Sequence, residues 1–529
     1  MLQIRPDAQI QVTLVMPQHK VPVWLRNLFF SLHKAEFVSL YVVVLTTEPR
    51  KSEPASLLFD AWKWLDTKVF RRKVSAVEHS ERLVDICGEF DAEQNGGFST
   101  ATLDDATHCI QRREADVIVW MLSDRPPAGT ISVAKFGVWT IADAFNKALG
   151  FRELVNREPV TRCDLIIYGN APSDDRILAT TFATTDCLSL ARGINAIRVK
   201  CEALLLATIR RTYRRADPRI DGMPVNTTER VNRASPGFLQ FGRGLLHIYG
   251  QYFVKLLARP FFFDQWQIAY RIGGNRLDQV GLKRLAPSHR GFWADPFVAE
   301  DDGRTFIFFE EFLQETSRGH IAAIEIGPDG EVGQPINVLH SEYHLSYPFL
   351  FRYDGSLYMV PECAESGRVE VFRCTRFPDV WEPHAVLLDG VCAFDPTLIE
   401  HDGMWWMFVT IQHDGNSTDD ELHLFYASGP FDEWTAHPLN PIQLDVRSAR
   451  PAGSLFREQG RLFRPSQDCS ARYGWAISIQ EVRCMTTEDY KELEVGRITS
   501  DWAVGAHGTH TINQASGVTV YDCEAKCRK

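Results

Sequence analysis

The stretch ADPFVAEDDGRTFIFFEE, residues 294–311, decides the fold, because the chain returns to its pattern three more times. Pro296 is followed seven residues later by Gly303, Pro348 by Gly355 and Pro396 by Gly403. Each of those glycines follows an aspartate, Asp302, Asp354 or Asp402, and Asp-Gly between apolar alternating runs is a hairpin signal. A fourth copy runs from Ala449-Arg450-Pro451-Ala452 to Gln467, with nine residues from Pro451 to Gly460. The prolines are 52, 48 and 55 residues apart, which is room for one hairpin plus two more strands. A repeat of that length built from short aromatic strands predicts four-stranded propeller blades. A fifth blade is expected from Tyr270 to Leu285 together with the tail around His510 to Tyr521, so that the two ends of the repeat close the ring and no sheet edge is left open.

The same spacing predicts where chemistry sits. The residue before each proline opens a strand, and the residue seven past each turn glycine returns to the same end. The pre-proline positions hold Asp295, Tyr347, Asp395 and Arg450, and the returning positions hold Glu310, Glu362, Thr410 and Gln467. Glu311, His344, Asp468 and His510 are their neighbours, and of the adjacent pair Glu310 and Glu311 only one is expected to face inward, the other being solvated. Equivalent positions thus carry different polar groups on an apolar scaffold. Carboxylates brought close push their proton affinities apart, as acid/base chemistry on a glycosidic bond requires. Trp293, Trp405 and Trp406 are expected in the blade cores.

Phe292-Trp293-Ala294-Asp295-Pro296-Phe297, Tyr343-His344-Leu345-Ser346-Tyr347-Pro348, Phe394-Asp395-Pro396-Thr397 and Arg464-Pro465-Ser466-Gln467-Asp468 together resemble the propeller domain at the N-terminus of plant glucosamine inositolphosphorylceramide transferases. That domain is similar in turn to the five-bladed propellers of glycoside hydrolase families 43 and 32. The resemblance implies Asp295 as base or nucleophile and Asp395 as the carboxylate that orients or tunes. Glu362 is the candidate acid, although it stands between the two aspartates in the chain, not after them. Glu310, Glu311, His344, Tyr347, Arg450, Gln467, Asp468 and His510 are candidates for substrate binding. The partner implied is a carbohydrate or glycolipid head group.

Outward from the repeat, the first half reads differently. Strand-like runs at Gln11–Met16, Val38–Thr46, Asp116–Leu122, Gly137–Ile141, Asp164–Tyr168 and Ile177–Phe182 alternate with helical spacing at Val21–Ala35, Leu57–Phe70 and Ser189–Arg211. That alternation predicts an α/β layer with a mostly parallel, Rossmann-like sheet. No G-x-G-x-x-G or P-loop is present, and Gly96-Gly97 reads as a plain turn. Ala134-Lys135-Phe136-Gly137-Val138-Trp139-Thr140-Ile141 and Ser189-Leu190-Ala191-Arg192-Gly193-Ile194-Asn195 resemble the formyltransferase domain of the methionyl-tRNA or sugar N-formyltransferase type. Those enzymes place an Asn, a His and an Asp around a folate formyl group. Here Ile141-Ala142-Asp143 stands where the His is due, so folate is not expected and the domain reads as a degenerate relative. The expected organisation is therefore residues 1–215 as a formyltransferase-like α/β domain, 216–264 as a linker carrying an amphipathic helix, and 265–525 as a five-bladed β-propeller.

Composition sets outer bounds. The 57 basic and 68 acidic side chains leave a net charge of −11, which offers no basic face for nucleic acid. Twelve cysteines are dispersed without metal-ligand spacing, so reduced thiols, no metal site and no cofactor are expected. Absence of a secretory signal and of a long apolar run predicts a cytoplasmic protein. Phe238–Phe263, with Arg243, Lys255 and Arg259, is read as a helix packed between domains or resting on a membrane surface, and the arginines from Arg210 to Arg219 as a solvated helix end or an anion contact.

Overall fold

The computed structural model describes residues 9–17, 20–45, 57–70, 79–82, 98–122, 124–143, 146, 148–215, 223–225, 238–258, 262–287, 291–412 and 417–528. The Gly96-Gly97 pair, Arg219 and nearly all of the stretch from Asp217 to Ser235 lie outside them. The chain divides into two compact units, Met1–Phe253 and Val254–Lys529. No helix among the described residues is long and apolar enough to cross a membrane.

The first unit is built on an eight-stranded sheet. Its order is Phe98–Ala101, Val38–Leu45, Ile10–Pro17, Val117–Trp120, Val138–Ile141, Val160–Ile167, Arg176–Thr184 and Met223–Pro224. The first five strands are parallel, and the apolar runs Leu14–Met16, Val42–Leu45, Val117–Trp120 and Val138–Ile141 of the inner ones are buried on both faces as such strands require. The sheet is parallel up to Ile141, as expected, and antiparallel beyond it. Val160–Ile167 runs antiparallel to Val138–Ile141 and to Arg176–Thr184, because Phe151–Asn156 is too short a helix to carry the chain back over the sheet. Helix Val23–Lys34 turns Trp24, Leu25, Leu28, Phe29 and Leu32 inward, the face predicted by their spacing. Helix Leu190–Arg215 is the longest in the unit, and Asp66 accepts hydrogen bonds from the Ala191 N–H and the Ser189 hydroxyl at its start. Near its end the Arg210 guanidinium lies 5.1 Å from the Phe37 ring. Helix Phe238–Ala258 begins by packing Phe241 edge-on against Phe59 and Trp62.

The second unit is a five-bladed propeller. Four sheets of four antiparallel strands follow one another, starting at Gly291–Asp301, Ser346–Tyr353, Ala393–His401 and Phe456–Glu458. The fifth sheet joins the two ends of the unit. Phe262–Ile272 pairs antiparallel with Val518–Arg528 along its full length, and Lys283–Leu285, Ile512–Ala515 and Ala506–Gly508 complete the blade. The first strands of the first three of these blades, Gly291–Asp301, Ser346–Tyr353 and Ala393–His401, lie against one another in turn. Trp293, Trp405 and Trp406 fill inter-blade cores as expected.

Two local devices recur. Asp302-Gly303, Asp354-Gly355 and Asp402-Gly403 each place both residues at positive φ, the conformation whose twist suits a two-residue hairpin. At the other end of each first strand the register slips by a bulge, between Ala294 and Phe297, Ser346 and Phe349, and Phe394 and Thr397. Inside those bulges the pre-proline residues Asp295, Tyr347 and Asp395 have φ of 51°, 43° and 50°.

Candidate active site in the propeller

A non-glycine residue in the left-handed region is strained, and strain of this kind collects at functional sites. The bulge aims Asp295 and Asp395 at the propeller axis, where they meet residues from the other blades. The returning positions pair as the repeat predicts, Ala294 with Glu310, Ser346 with Glu362, and Phe394 with Thr410.

Arg450 organises one side of this centre. Its Nε donates to Asp395 Oδ2 at 2.6 Å, its Nη1 to Asp419 Oδ1 at 3.1 Å, and its Nη2 to Glu362 Oε2 at 3.1 Å and Asp395 Oδ1 at 3.3 Å. Gln467 Nε2 adds a hydrogen bond to Asp395 Oδ2 at 2.8 Å. Burial, reinforced by the Asp395 charge, raises the Glu362 carboxyl well above the usual carboxylate range, which favours its protonated form beside Asp395. Burial pulls the proton affinity of Arg450 down, but the facing carboxylates, Asp395 first, outweigh it and hold the guanidinium firmly charged.

Asp295 belongs to a second cluster. Thr511 Oγ1 donates to Asp295 Oδ1 at 2.7 Å, and His510 Nε2 lies 3.4 Å from the same oxygen. On its far side His510 Nδ1 lies 2.7 Å from Asp522 Oδ2. Burial pushes the Asp295 carboxyl up to about 7, against the opposing pull of His510. Burial alone would lower His510, but Asp522 and then Asp295 outweigh it and bring it to about 9. The three buried residues Asp295, His510 and Asp522 also present ligand atoms close enough together to surround one cation.

The remaining predicted residues divide. Tyr347 is buried, donates its hydroxyl hydrogen or accepts one at Thr397 Oγ1, 2.8 Å away, and accepts from the Gly453 N–H at 2.7 Å. His344 Nδ1 accepts the Gly319 N–H at 3.0 Å, which leaves its Nε2 to donate toward Glu310 Oε1 at 3.2 Å. Glu310 and Glu311 are both buried, which corrects the expectation that one of them is solvated. Alternation sends them to opposite faces, and Glu311 finds the Trp293 indole N–H at 2.9 Å and His320 at 3.2 Å. Asp468 turns away from the centre, toward Arg497 Nη1 at 3.0 Å and the Ser470 N–H. Asp522, Thr511 and Asp419 were not among the sequence candidates. Their only signal is position, since Asp522 lies five residues past Gly517, the turn glycine of the fifth hairpin.

Residues 282–513 match the model of the family described as "Glucosamine inositolphosphorylceramide transferase 1, N-terminal". The matched stretch lies within the propeller unit. The protein named Glucosamine inositolphosphorylceramide transferase 1 from Oryza sativa subsp. japonica is 35% identical over 208 residues, which are 39% of this chain and 28% of that protein. Its namesake from Arabidopsis thaliana is 34% identical over 209 residues, 39% of this chain and 27% of the other. The chain thus spans under a third of the length of these curated relatives. Among solved structures, the catalytic domain of the Coprinopsis cinerea GH62 α-L-arabinofuranosidase is similar at a TM-score of 0.31 and 14% identity, over 47% of this chain and 82% of that one. The GH43_1 enzyme from Xanthomonas citri is similar at a TM-score of 0.33 and 11% identity, over 45% and 88%.

Proposed function

We propose that the propeller is a carbohydrate-active domain that binds a glycan or glycolipid head group and acts on a glycosidic bond. The observation that carries this reading is a pair of buried carboxyls, Asp295 and Glu362, both raised in proton affinity and set in one network with Asp395, Arg450 and His510. Asp295 titrates near neutrality, at about 7, while Glu362 is raised well above the usual range beside Asp395 and Arg450. A base poised near the working pH and an acid that keeps its proton are the two halves of glycosidic chemistry. In this scheme Asp295 takes the proton of an attacking water or hydroxyl as its oxygen bonds to the anomeric carbon. Glu362 gives its proton to the departing oxygen as the old C–O bond breaks, and Asp395 with Arg450 sets the orientation of Glu362. The names of the curated relatives point to a glycolipid as the class of substrate.

The test is a panel of aryl glycosides and glycolipid head groups with the full chain. Asp295→Asn and Glu362→Gln should each lower turnover by about 10²- to 10⁴-fold with unchanged folding. Full activity in both variants on a turned-over substrate would remove the assignment. A binding-only reading has one observation in its favour, the commitment of Arg450 to both Glu362 and Asp395. It requires glycan binding without product, retained in Asp295→Asn.

For the first unit we propose a doubly wound, formyltransferase-related domain. Its five parallel strands follow the order 3-2-1-4-5 seen in dinucleotide-binding sheets. With Ile141-Ala142-Asp143 in place of a His-bearing loop, it is read as working without folate.

A further inference from the structure

Helix Phe238–Ala258 is apolar on two sides, and only one of them is used inside the first unit. Phe241, Gly244 and Ile248, three and four residues apart, are buried, and a Cβ at Gly244 would come within 2.9 Å of the Phe151 and Val155 side chains. The other side carries Leu246, Tyr249 and Phe253, again three and four apart. They are 79%, 49% and 59% exposed, and all three belong to the first unit. A helix that is apolar all round is ordinarily enclosed by protein or by lipid. The outer side of this one is bare, and exposed apolar surface of this kind marks the place where a partner docks.

Charge decides which partner. From Phe238 to Phe263 the chain has three cations, Arg243, Lys255 and Arg259, and no acid, in a protein whose net charge is −11. Arg243 is exposed and stands one turn before Leu246. Arg157 is exposed too. It closes helix Phe151–Asn156 and donates from Nε to His247 Nδ1 at 3.2 Å, which sets a second guanidinium against the helix. Glu158, the acid next to it in the chain, accepts from Asn156 Nδ2 at 3.2 Å and lies 3.8 Å from Arg152 Nη2. A second copy docked through the same face about a two-fold axis would bring like guanidiniums together. An anionic bilayer instead takes the apolar side chains at the acyl boundary and meets the guanidiniums with phosphates. No described helix is long and apolar enough to cross a membrane, so this one lies along the surface.

We infer that the outer face of helix Phe238–Ala258 docks the protein on an anionic lipid surface, with Leu246, Tyr249 and Phe253 inserted at the headgroup boundary and Arg157 and Arg243 on lipid phosphates. This goes beyond the carbohydrate reading and does not depend on it, because the docking residues belong to the first unit and binding is read without turnover.

The experiment is co-sedimentation of the full chain with vesicles of phosphatidylcholine alone and of phosphatidylcholine mixed in equal parts with phosphatidylglycerol. The parent should bind the mixed vesicles about tenfold more tightly than the neutral ones, and added salt should erase that preference. Leu246→Gln combined with Phe253→Gln should weaken binding by about tenfold or more. Arg243→Gln should weaken it by about fivefold, and on the mixed vesicles only. Both variants should melt as the parent does, since the side chains they change are exposed. In the parent, backbone hydrogen exchange over residues 238–258 should slow when mixed vesicles are added. Full binding by the double variant, or exchange over 238–258 that vesicles leave unchanged, would place the lipid contact elsewhere and overturn the proposal. Equal binding to the two kinds of vesicle would overturn the choice of an anionic surface. Failure of the parent to bind either kind would overturn the docking itself, and a dimer in sedimentation equilibrium that the double variant dissolves would then assign the face to a second copy.

Discussion

Asp295 is where backbone strain, burial and a neighbouring cation act on one side chain. Its carboxyl is raised from 3.8 to about 7 and the imidazole of His510 from 6.5 to about 9. Both folded groups bind protons more tightly than the unfolded chain does. The contribution of Asp295 therefore falls as pH rises from about 4 to 7, and that of His510, complete below 6.5, is lost as pH passes through about 9. Removing the Asp295 charge should lower the His510 pKa by about one unit or more, because one of its two facing carboxylates becomes neutral. Imidazole NMR titration of Asp295→Asn against the parent measures this, and an unchanged His510 midpoint would show that Asp522 alone holds the proton. Arg450 is the other residue with a large expected effect. Arg450→Met leaves Asp395, Glu362 and Asp419 without their buried counter-charge, and should cost about 3–5 kcal/mol in urea unfolding. A loss under 1 kcal/mol would mean the carboxylates relax to water. Asp295, Glu362, Asp395, Arg450 and Gln467 were legible because the repeat fixes strand direction and end. Asp522 was not, since it lies off the repeat positions.

At the scale of elements, the hairpins were readable and the bulges were not. Asp-Gly announces a turn with both residues at positive φ, and three blades obey it. The fourth and fifth use Gln459-Gly460 and Ser516-Gly517, where the first residue carries no such signal. The bulges run against local preference, because a residue before proline is driven toward extended backbone, and Asp295, Tyr347 and Asp395 instead sit at positive φ. The turns offer a clean test of the conformational term. At Gly355 an added Cβ would meet nothing within 4 Å, so the penalty of Gly355→Ala is that of φ near 72° alone. It should destabilise the protein by about 1 kcal/mol, seen as a lower urea midpoint with unchanged slope. Asp354→Asn, a residue type at ease in this region, should be neutral within about 0.5 kcal/mol. Equal losses in the two variants would place the effect in the Asp354 charge.

For the whole molecule, closure was visible in the sequence because a ring built from an open repeat needs a composite blade, and the strand-like ends at Tyr270 and Tyr521 could supply it. The sense of the strands after Ile141 was not visible, since an apolar β-branched run looks the same whichever way it points. Closure also links the fold to the site. Strand Val518–Arg528 holds the propeller together by pairing with Phe262–Ile272, and it carries Asp522, which faces His510. A chain ending at Gly517 loses that strand with the buried Val520, Tyr521 and Cys523, and leaves two long edges unpaired. Its second unit should show no cooperative thermal transition and should aggregate. A chain ending at Ala525 keeps those residues and Asp522, and gives up only the last pairs at Phe262, Phe263 and Asp264. It should melt within a few degrees of the parent, with the His510 titration unchanged. Differential scanning calorimetry of the three chains separates the cases. Cooperative melting of the Gly517 chain at the parental temperature would mean that four blades suffice, and that the fifth serves the site and not the fold.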